Sequence, residues 1–134
     1  MQTSEEELRT KRHVVYYLHL HLVFVTKYRR KVFTEQMVER LQFHFEKVCK
    51  DFGCTLVECN GERDHIHLLV EPLPHTTPSR LVNSLKGVSS RLLRKEFPEL
   101  KNYYWKGGLW SPSYFIASCG GSPLENVKKY IRNQ

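Results

Sequence analysis

Asp64-His65-Ile66-His67-Leu68-Leu69-Val70 is the stretch from which the rest of the chain can be read. In an extended strand alternate side chains share a face, so Ile66, Leu68 and Val70 form one side while His65 and His67 form the other. One side is built for burial, and the other carries two imidazoles close enough to converge on one cation. Just upstream, residues 54–59 (Cys-Thr-Leu-Val-Glu-Cys) read as a second short strand, with Asn60-Gly61 as the turn. Strands joined this closely are expected to pair antiparallel.

Towards the N-terminus, alternation begins at His13. Tyr16, Leu18, Leu20, Leu22 and Phe24 fall on one face and Tyr17, His19, His21, Val23 and Val25 on the other, which predicts a long strand. It runs into the basic cluster Lys27-Tyr28-Arg29-Arg30-Lys31. Thr34 then caps a helix whose apolar positions are Met37, Leu41, Phe45, Val48 and Phe52, closing at Gly53. Beyond the central strand, Pro72, Pro74 and Pro78 mark a loop. Thr77 and Pro78 open a second helix, with Leu81, Leu85, Val88 and Leu92 inward and Arg80, Lys86, Arg91, Arg94 and Lys95 outward.

Phe97-Pro98 stops that helix, an irregular aromatic segment follows, and residues 113–118 read as a strand broken by Gly120-Gly121. Ser122-Pro123-Leu124-Glu125 has capping-box spacing and begins a last helix, which places Tyr130 and Gln134 one turn apart. The first six elements give the βαββαβ order of a ferredoxin-like (RRM-like) α+β fold, an antiparallel sheet with two helices on one face. The C-terminal helix is an addition to it. Residues 1–12 read as a solvated tail and residues 13–134 as one domain.

The bulk numbers agree with a single globular unit. The chain has 134 residues, 40% hydrophobic and 12% aromatic, enough to bury a core without staples. No segment reaches the run of about 20 apolar residues that a membrane span needs. The opening Met1-Gln2-Thr3-Ser4-Glu5-Glu6-Glu7 is acidic, unlike a signal peptide, so a cytoplasmic protein is expected. Cys49, Cys54, Cys59 and Cys119 form no C-x-x-C pair, which argues against a zinc ribbon or disulfide framework. Lys and Arg number 21 against 14 Asp and Glu, a net charge of +7 that favours polyanionic partners without identifying one.

A His-x-His pair alone is weak evidence for a metal. His19-Leu20-His21 has the same spacing, so at least one of the two pairs must be structural. His65 and His67 are favoured by their clean apolar reverse face and by Asp64, a carboxylate placed to steady a ligand; the first pair is read as lacking such a neighbour. Tyr130 lies to one side of the stripe Leu124, Val127 and Ile131, leaving its hydroxyl free for chemistry. A phenol beside a cation that polarises a phosphate is a phosphodiester-cleaving pair.

These residues resemble a family. Asp64-His65-Ile66-His67 matches the HUH motif (His, hydrophobic, His), and Tyr130-Ile131-Arg132-Asn133-Gln134 is similar to the Y-x-x-x-Q signature of the single-tyrosine HUH transposases, which move small insertion sequences as single-stranded DNA. The blocks from His21 to Arg30, Lys86 to Arg91 and Leu109 to Phe115 look like that family's recurrent segments, in the same order. The resemblance implies that His65, His67 and Gln134 bind one divalent ion, Mg²⁺ or Mn²⁺, with Asp64 behind them. It implies that Tyr130 attacks the scissile phosphate, leaving a 5′-phosphotyrosine and a free 3′-hydroxyl. It further implies hairpin recognition near the element's ends and a homodimer in which one subunit's tyrosine helix completes the other's site, with Gly120-Gly121 as the hinge.

The expected DNA surface comprises Lys27, Arg29, Arg30, Lys31, Arg80, Lys86, Arg91, Arg94 and Lys95, with Tyr28, Trp105 and Trp110 as stacking groups. Relatives usually run several residues past the glutamine, so an incomplete sequence is one expectation; a chain ending at Gln134 would bring its terminal carboxylate near the metal. The resemblance also implies a bacterial or archaeal, nucleoid-associated protein. The competing readings are a non-catalytic single-strand nucleic-acid-binding module, an HUH endonuclease of replication or conjugation, and a domesticated relative acting on genomic hairpins.

Overall fold

A computed structural model of the chain describes residues 18–104 and 108–118. The elements are β1 (Leu20–Thr26), a 3₁₀ turn (Lys27–Arg29), α1 (Glu35–Asp51), β2 (Thr55–Gly61), β3 (His65–Glu71), α2 (Pro78–Glu96), a second 3₁₀ turn (Pro98–Asn102) and β4 (Trp110–Ser118). The strands form one antiparallel sheet in the order β2-β3-β1-β4. Each helix therefore crosses over one intervening strand, as the βαββαβ order requires. The tail at residues 1–12, the long strand's first residues, Trp105, the Gly120-Gly121 hinge and the closing helix with Tyr130 and Gln134 lie outside the described residues.

The register fixes two faces. Leu20 pairs with Val70, Leu22 with Leu68 and Phe24 with Ile66, and these six join the helices in the core. α1 contributes Met37, Leu41, Phe45 and Val48, and α2 contributes Leu81, Val82, Leu85 and Leu93. Phe24 is fully buried, edge-on to Phe45 at 5.8 Å between ring centroids. Burial of a side chain this size contributes roughly 1.5–3 kcal/mol.

α1 begins and ends where its caps put it. The Thr34 hydroxyl accepts the Met37 N–H at 3.2 Å, and Gly53 leaves the helix at φ 74°, a left-handed conformation that glycine adopts without Cβ strain. The turn between β2 and β3 falls later than expected. Asn60 and Gly61 stay in the strand, opposite His67 and Ile66, and the chain reverses through Glu62, Arg63 and Asp64, closed by the Glu62 N–H donating to His65 O at 2.8 Å. Gly61 serves a close approach instead: a Cβ there would lie 2.8 Å from Val38 Cγ1 of α1.

α2 also departs from expectation. Val88 and Leu92 are only half-buried, whereas Val82, Ser89, Ser90 and Leu93 are buried. The two serines are inside because they anchor the start of β4. Trp110 Nε1 donates to Ser89 Oγ at 2.9 Å, and the Leu109 N–H donates to Ser90 Oγ at 2.9 Å. Among the described residues, no helix is long and apolar enough to cross a membrane.

Candidate metal centre and nucleic-acid interface

The face of the sheet opposite the core holds the histidines. In the β1–β3 register His21 pairs with Leu69, Val23 with His67 and Val25 with His65, so His21, His65 and His67 share one side. The His65 and His67 rings are 4.9 Å apart between centroids and nearly perpendicular, at 81°. Asp64 stands behind the pair: His65 Nδ1 donates to Asp64 Oδ1 at 2.7 Å. His67 Nδ1 is 3.2 Å from His21 Nε2, and the two ring planes lie 20° apart. Both Nδ1 atoms are thus engaged, so a cation can be taken by Nε2 of His65 and, where His67 carries its proton on Nδ1, by Nε2 of His67.

Electrostatics suit ligation. Burial, then the neighbouring His65 and His21, pushes the His67 imidazole down to about 4, and burial also lowers His21. Both stay neutral near pH 7, the form in which an imidazole binds a metal. The His65 hydrogen bond, with Arg29 assisting, holds the Asp64 carboxyl below the usual carboxylate range. No group of three or more His, Cys, Asp and Glu among the described residues could hold a metal ion. The two imidazoles fit a divalent cation as part of a ligand set, and the third expected ligand, Gln134, lies outside the described residues.

The first histidine pair is not the featureless control the sequence suggested. His19 Nε2 is 3.9 Å from Glu71 Oε2, so a carboxylate does accompany it, and His21 belongs with His65 and His67. Sequence reasoning missed His21 because the contact depends on cross-strand register, which no local pattern displays.

The basic loop meets the same corner of the molecule. Thr26 hooks the loop to the hairpin, its N–H donating to Asp64 O at 2.9 Å and its hydroxyl to Arg30 O at 2.9 Å. Tyr104 donates its hydroxyl to Lys27 O at 3.1 Å, and Arg63 Nη2 donates to Lys31 O at 3.0 Å. Within the loop Tyr28 and Arg29 sit at φ 64° and 52°, a conformation costing on the order of 1–3 kcal/mol per residue outside glycine. The anchors on either side maintain it. The result is an exposed Tyr28 ring, 72% accessible, with the Arg30 guanidinium 5.0 Å from its centroid and Arg29 Nη2 3.4 Å from Asp64 Oδ2. An accessible ring among cations can stack a base while the cations hold phosphates.

Not every expected nucleic-acid contact stands. Trp110 is a core residue, 5% exposed and packed against Phe24, Phe33 and Phe45, so it cannot stack on a base. Lys86 is turned onto β4, where Nζ donates to Ser111 O at 2.7 Å, and burial lowers its pKa. That ammonium is a strut between helix and strand. Arg94 Nε is similarly engaged, donating to Ser90 O at 3.1 Å, whereas Arg80, Arg91 and Lys95 are exposed.

The family model described as "Transposase IS200 like" matches residues 14–134. The ISDra2 transposase TnpA of Deinococcus radiodurans is 31% identical over 128 residues, which are 96% of this chain and 91% of that protein. The transposase for insertion sequence element IS200 of Salmonella typhimurium is 31% identical over 114 residues, 85% of this chain and 74% of its own length. Among solved structures, a Deinococcus radiodurans protein described as a transposase superposes with a TM-score of 0.73 at 30% identity, covering 100% of this chain and 98% of its own. A REP-associated tyrosine transposase bound to a REP hairpin shares the fold at a TM-score of 0.57 and 12% identity, over 85% of this chain and 61% of its own. The chain belongs to the IS200-like transposase family.

Proposed function

We propose that the protein cleaves and rejoins single-stranded DNA at the ends of an insertion sequence, recognising hairpins nearby, and that it does so as a homodimer. The observation that carries this reading is the pair of imidazoles whose Nδ1 atoms are both engaged, set beside a loop of cations joined to the site through Asp64. His65 and His67, with Gln134, would hold the divalent ion, Mg²⁺ or Mn²⁺. When bound, that ion supplies charge that polarises the scissile phosphate and stabilises the leaving oxygen.

The remaining chemistry belongs to the chain. The Tyr130 hydroxyl loses its proton and attacks phosphorus, the bond to the 3′ oxygen breaks, and a 5′-phosphotyrosine and a 3′-hydroxyl result. Attack by the 3′-hydroxyl of another strand reverses the step and releases the tyrosine, so joining needs no ATP. Tyr28 and the loop cations Lys27, Arg29, Arg30 and Lys31 hold the strand, with Arg80, Arg91 and Lys95 of α2 extending the surface. The test is incubation of the protein with hairpin-bearing single strands taken from the flanks of its own gene, with and without Mn²⁺, followed by a denaturing gel. Metal-dependent cleavage that disappears in His65→Ala and His67→Ala supports the reading. Binding without cleavage would instead make the protein a single-strand-binding module.

A further inference from the structure

We propose that His21 is a positioning residue for the metal centre, whose ring nitrogen accepts the Nδ1–H of His67 and so holds His67 in the tautomer that leaves Nε2 open to a cation. The inference deepens the proposed metal site and rests on it.

The contact is a cross-strand diagonal. His21 of β1 lies opposite Leu69 and His67 of β3 opposite Val23, so the two rings are offset by two residues on one face. Their nitrogens approach to 3.2 Å in a setting with little access to water, His21 being 1% and His67 8% exposed. Phe115 of β4 packs edge-on to His21 at 5.5 Å and 68°, bracing that ring from the third strand.

Two tautomer assignments satisfy a bond between Nε2 of His21 and Nδ1 of His67. If His21 donates, the His67 proton sits on Nε2 and that nitrogen has no lone pair to offer. If His67 donates, its Nε2 is free. Only the second arrangement is compatible with ligation, and it requires His21 to carry its own proton on Nδ1. His65 obeys the same logic with a different partner, since its Nδ1 donates to Asp64. Each ligand ring is therefore anchored through Nδ1, one by a carboxylate and one by an imidazole reached only through sheet pairing.

Two measurements test this. The first is the long-range ¹H–¹⁵N spectrum of the histidines in the intact metal-free protein, where the expected result is His67 protonated at Nδ1 and His21 protonated at Nδ1. His67 protonated at Nε2 would overturn the role, whatever the variants do. The second is Mn²⁺ affinity, followed by electron paramagnetic resonance, of the unmodified protein, His21→Leu and His21→Gln. Loss of a partner of this kind lowers metal affinity about 10–100-fold, so His21→Leu should bind that much more weakly, and His21→Gln, which keeps an acceptor oxygen, should recover most of the difference. Equal affinity in His21→Leu, or equal loss in both variants, overturns the role, because packing alone would then account for the residue. Failure of the unmodified protein to bind Mn²⁺ while His67 is protonated at Nδ1 sinks the metal reading itself; Mn²⁺ binding with the proton on Nε2 sinks only the role of His21.

Discussion

Arg29 Nη2 lies 3.4 Å from Asp64 Oδ2 while Asp64 Oδ1 accepts from His65 Nδ1 at 2.7 Å, so a single carboxylate joins the basic loop to the imidazole pair. The two features are far apart in sequence, and Asp64 makes them one unit. Under the proposed function, a phosphate drawn in by the loop would arrive where the imidazoles are.

The two sides of that carboxylate should separate by mutation. Asp64→Ala leaves His65 without its anchor and should weaken Mn²⁺ binding about 10–100-fold, whereas Asp64→Asn, which retains an acceptor oxygen, should lose less. Arg29→Ala removes a side chain that is 69% exposed, so metal affinity should stay near its original value and DNA affinity should fall. Calorimetric titration with Mn²⁺, alongside DNA binding at two salt concentrations, checks all three variants. A larger metal defect in Arg29→Ala than in Asp64→Ala would reverse the assignment.

Two aromatics that look alike in sequence should behave oppositely. Tyr28→Ala should cost about 1–3 kcal/mol in single-strand affinity and leave thermal stability nearly unchanged, as expected of an exposed stacking ring. Trp110→Phe removes the indole N–H that Ser89 Oγ accepts, while the hydroxyl keeps its bond to Lys86 O, and the lost hydrogen bond should cost about 0.5–1.5 kcal/mol of folding stability, with DNA affinity unchanged in the folded fraction. Chemical denaturation and fluorescence anisotropy measure the two quantities separately.

The helices are clasped by charge at a distance from the site. Arg40 of α1 donates to Glu96 of α2 through Nε and Nη2, each at 3.0 Å, and His44 Nε2 is 2.9 Å from the same carboxylate. The Arg40 hydrogen bond, reinforced by His44, pushes Glu96 down to about 2 from its ordinary 4.5. The unfolded chain therefore takes up this proton before the folded one, and the clasp's contribution is present above pH 4.5 and lost as pH falls towards 2. Glu96→Gln should lower the melting temperature at neutral pH and flatten its decline across that window. An unchanged acid slope in the variant would show that the carboxylate does not carry it.

What could be read from the sequence, and what could not, follows from range. Periodicity placed both helices and the core faces of β1 and β3, because the spacing of Leu20, Leu22, Phe24 and of Ile66, Leu68, Val70 is local. Asp64 was found because it is next to His65. His21 was passed over because its partner is 46 residues away and the register that joins them is a tertiary fact. Gly61 looked like a turn residue, yet its small size is required by Val38 of α1. Trp110 and Lys86 had the composition of a nucleic-acid surface, but Ser89 takes the indole N–H inside and the Ser111 carbonyl takes the ammonium.

The central claim is that Tyr130 and the His65/His67 pair act on one phosphate. Its most direct measurement is mass-spectrometric mapping of the residue that becomes covalently attached to a cleaved hairpin strand in the presence of Mn²⁺. The expected result is a 5′-phosphotyrosine on the peptide containing Tyr130, absent in Tyr130→Phe and in His67→Ala although both variants still bind the strand. An adduct on any other residue, or one that persists in Tyr130→Phe, would contradict it.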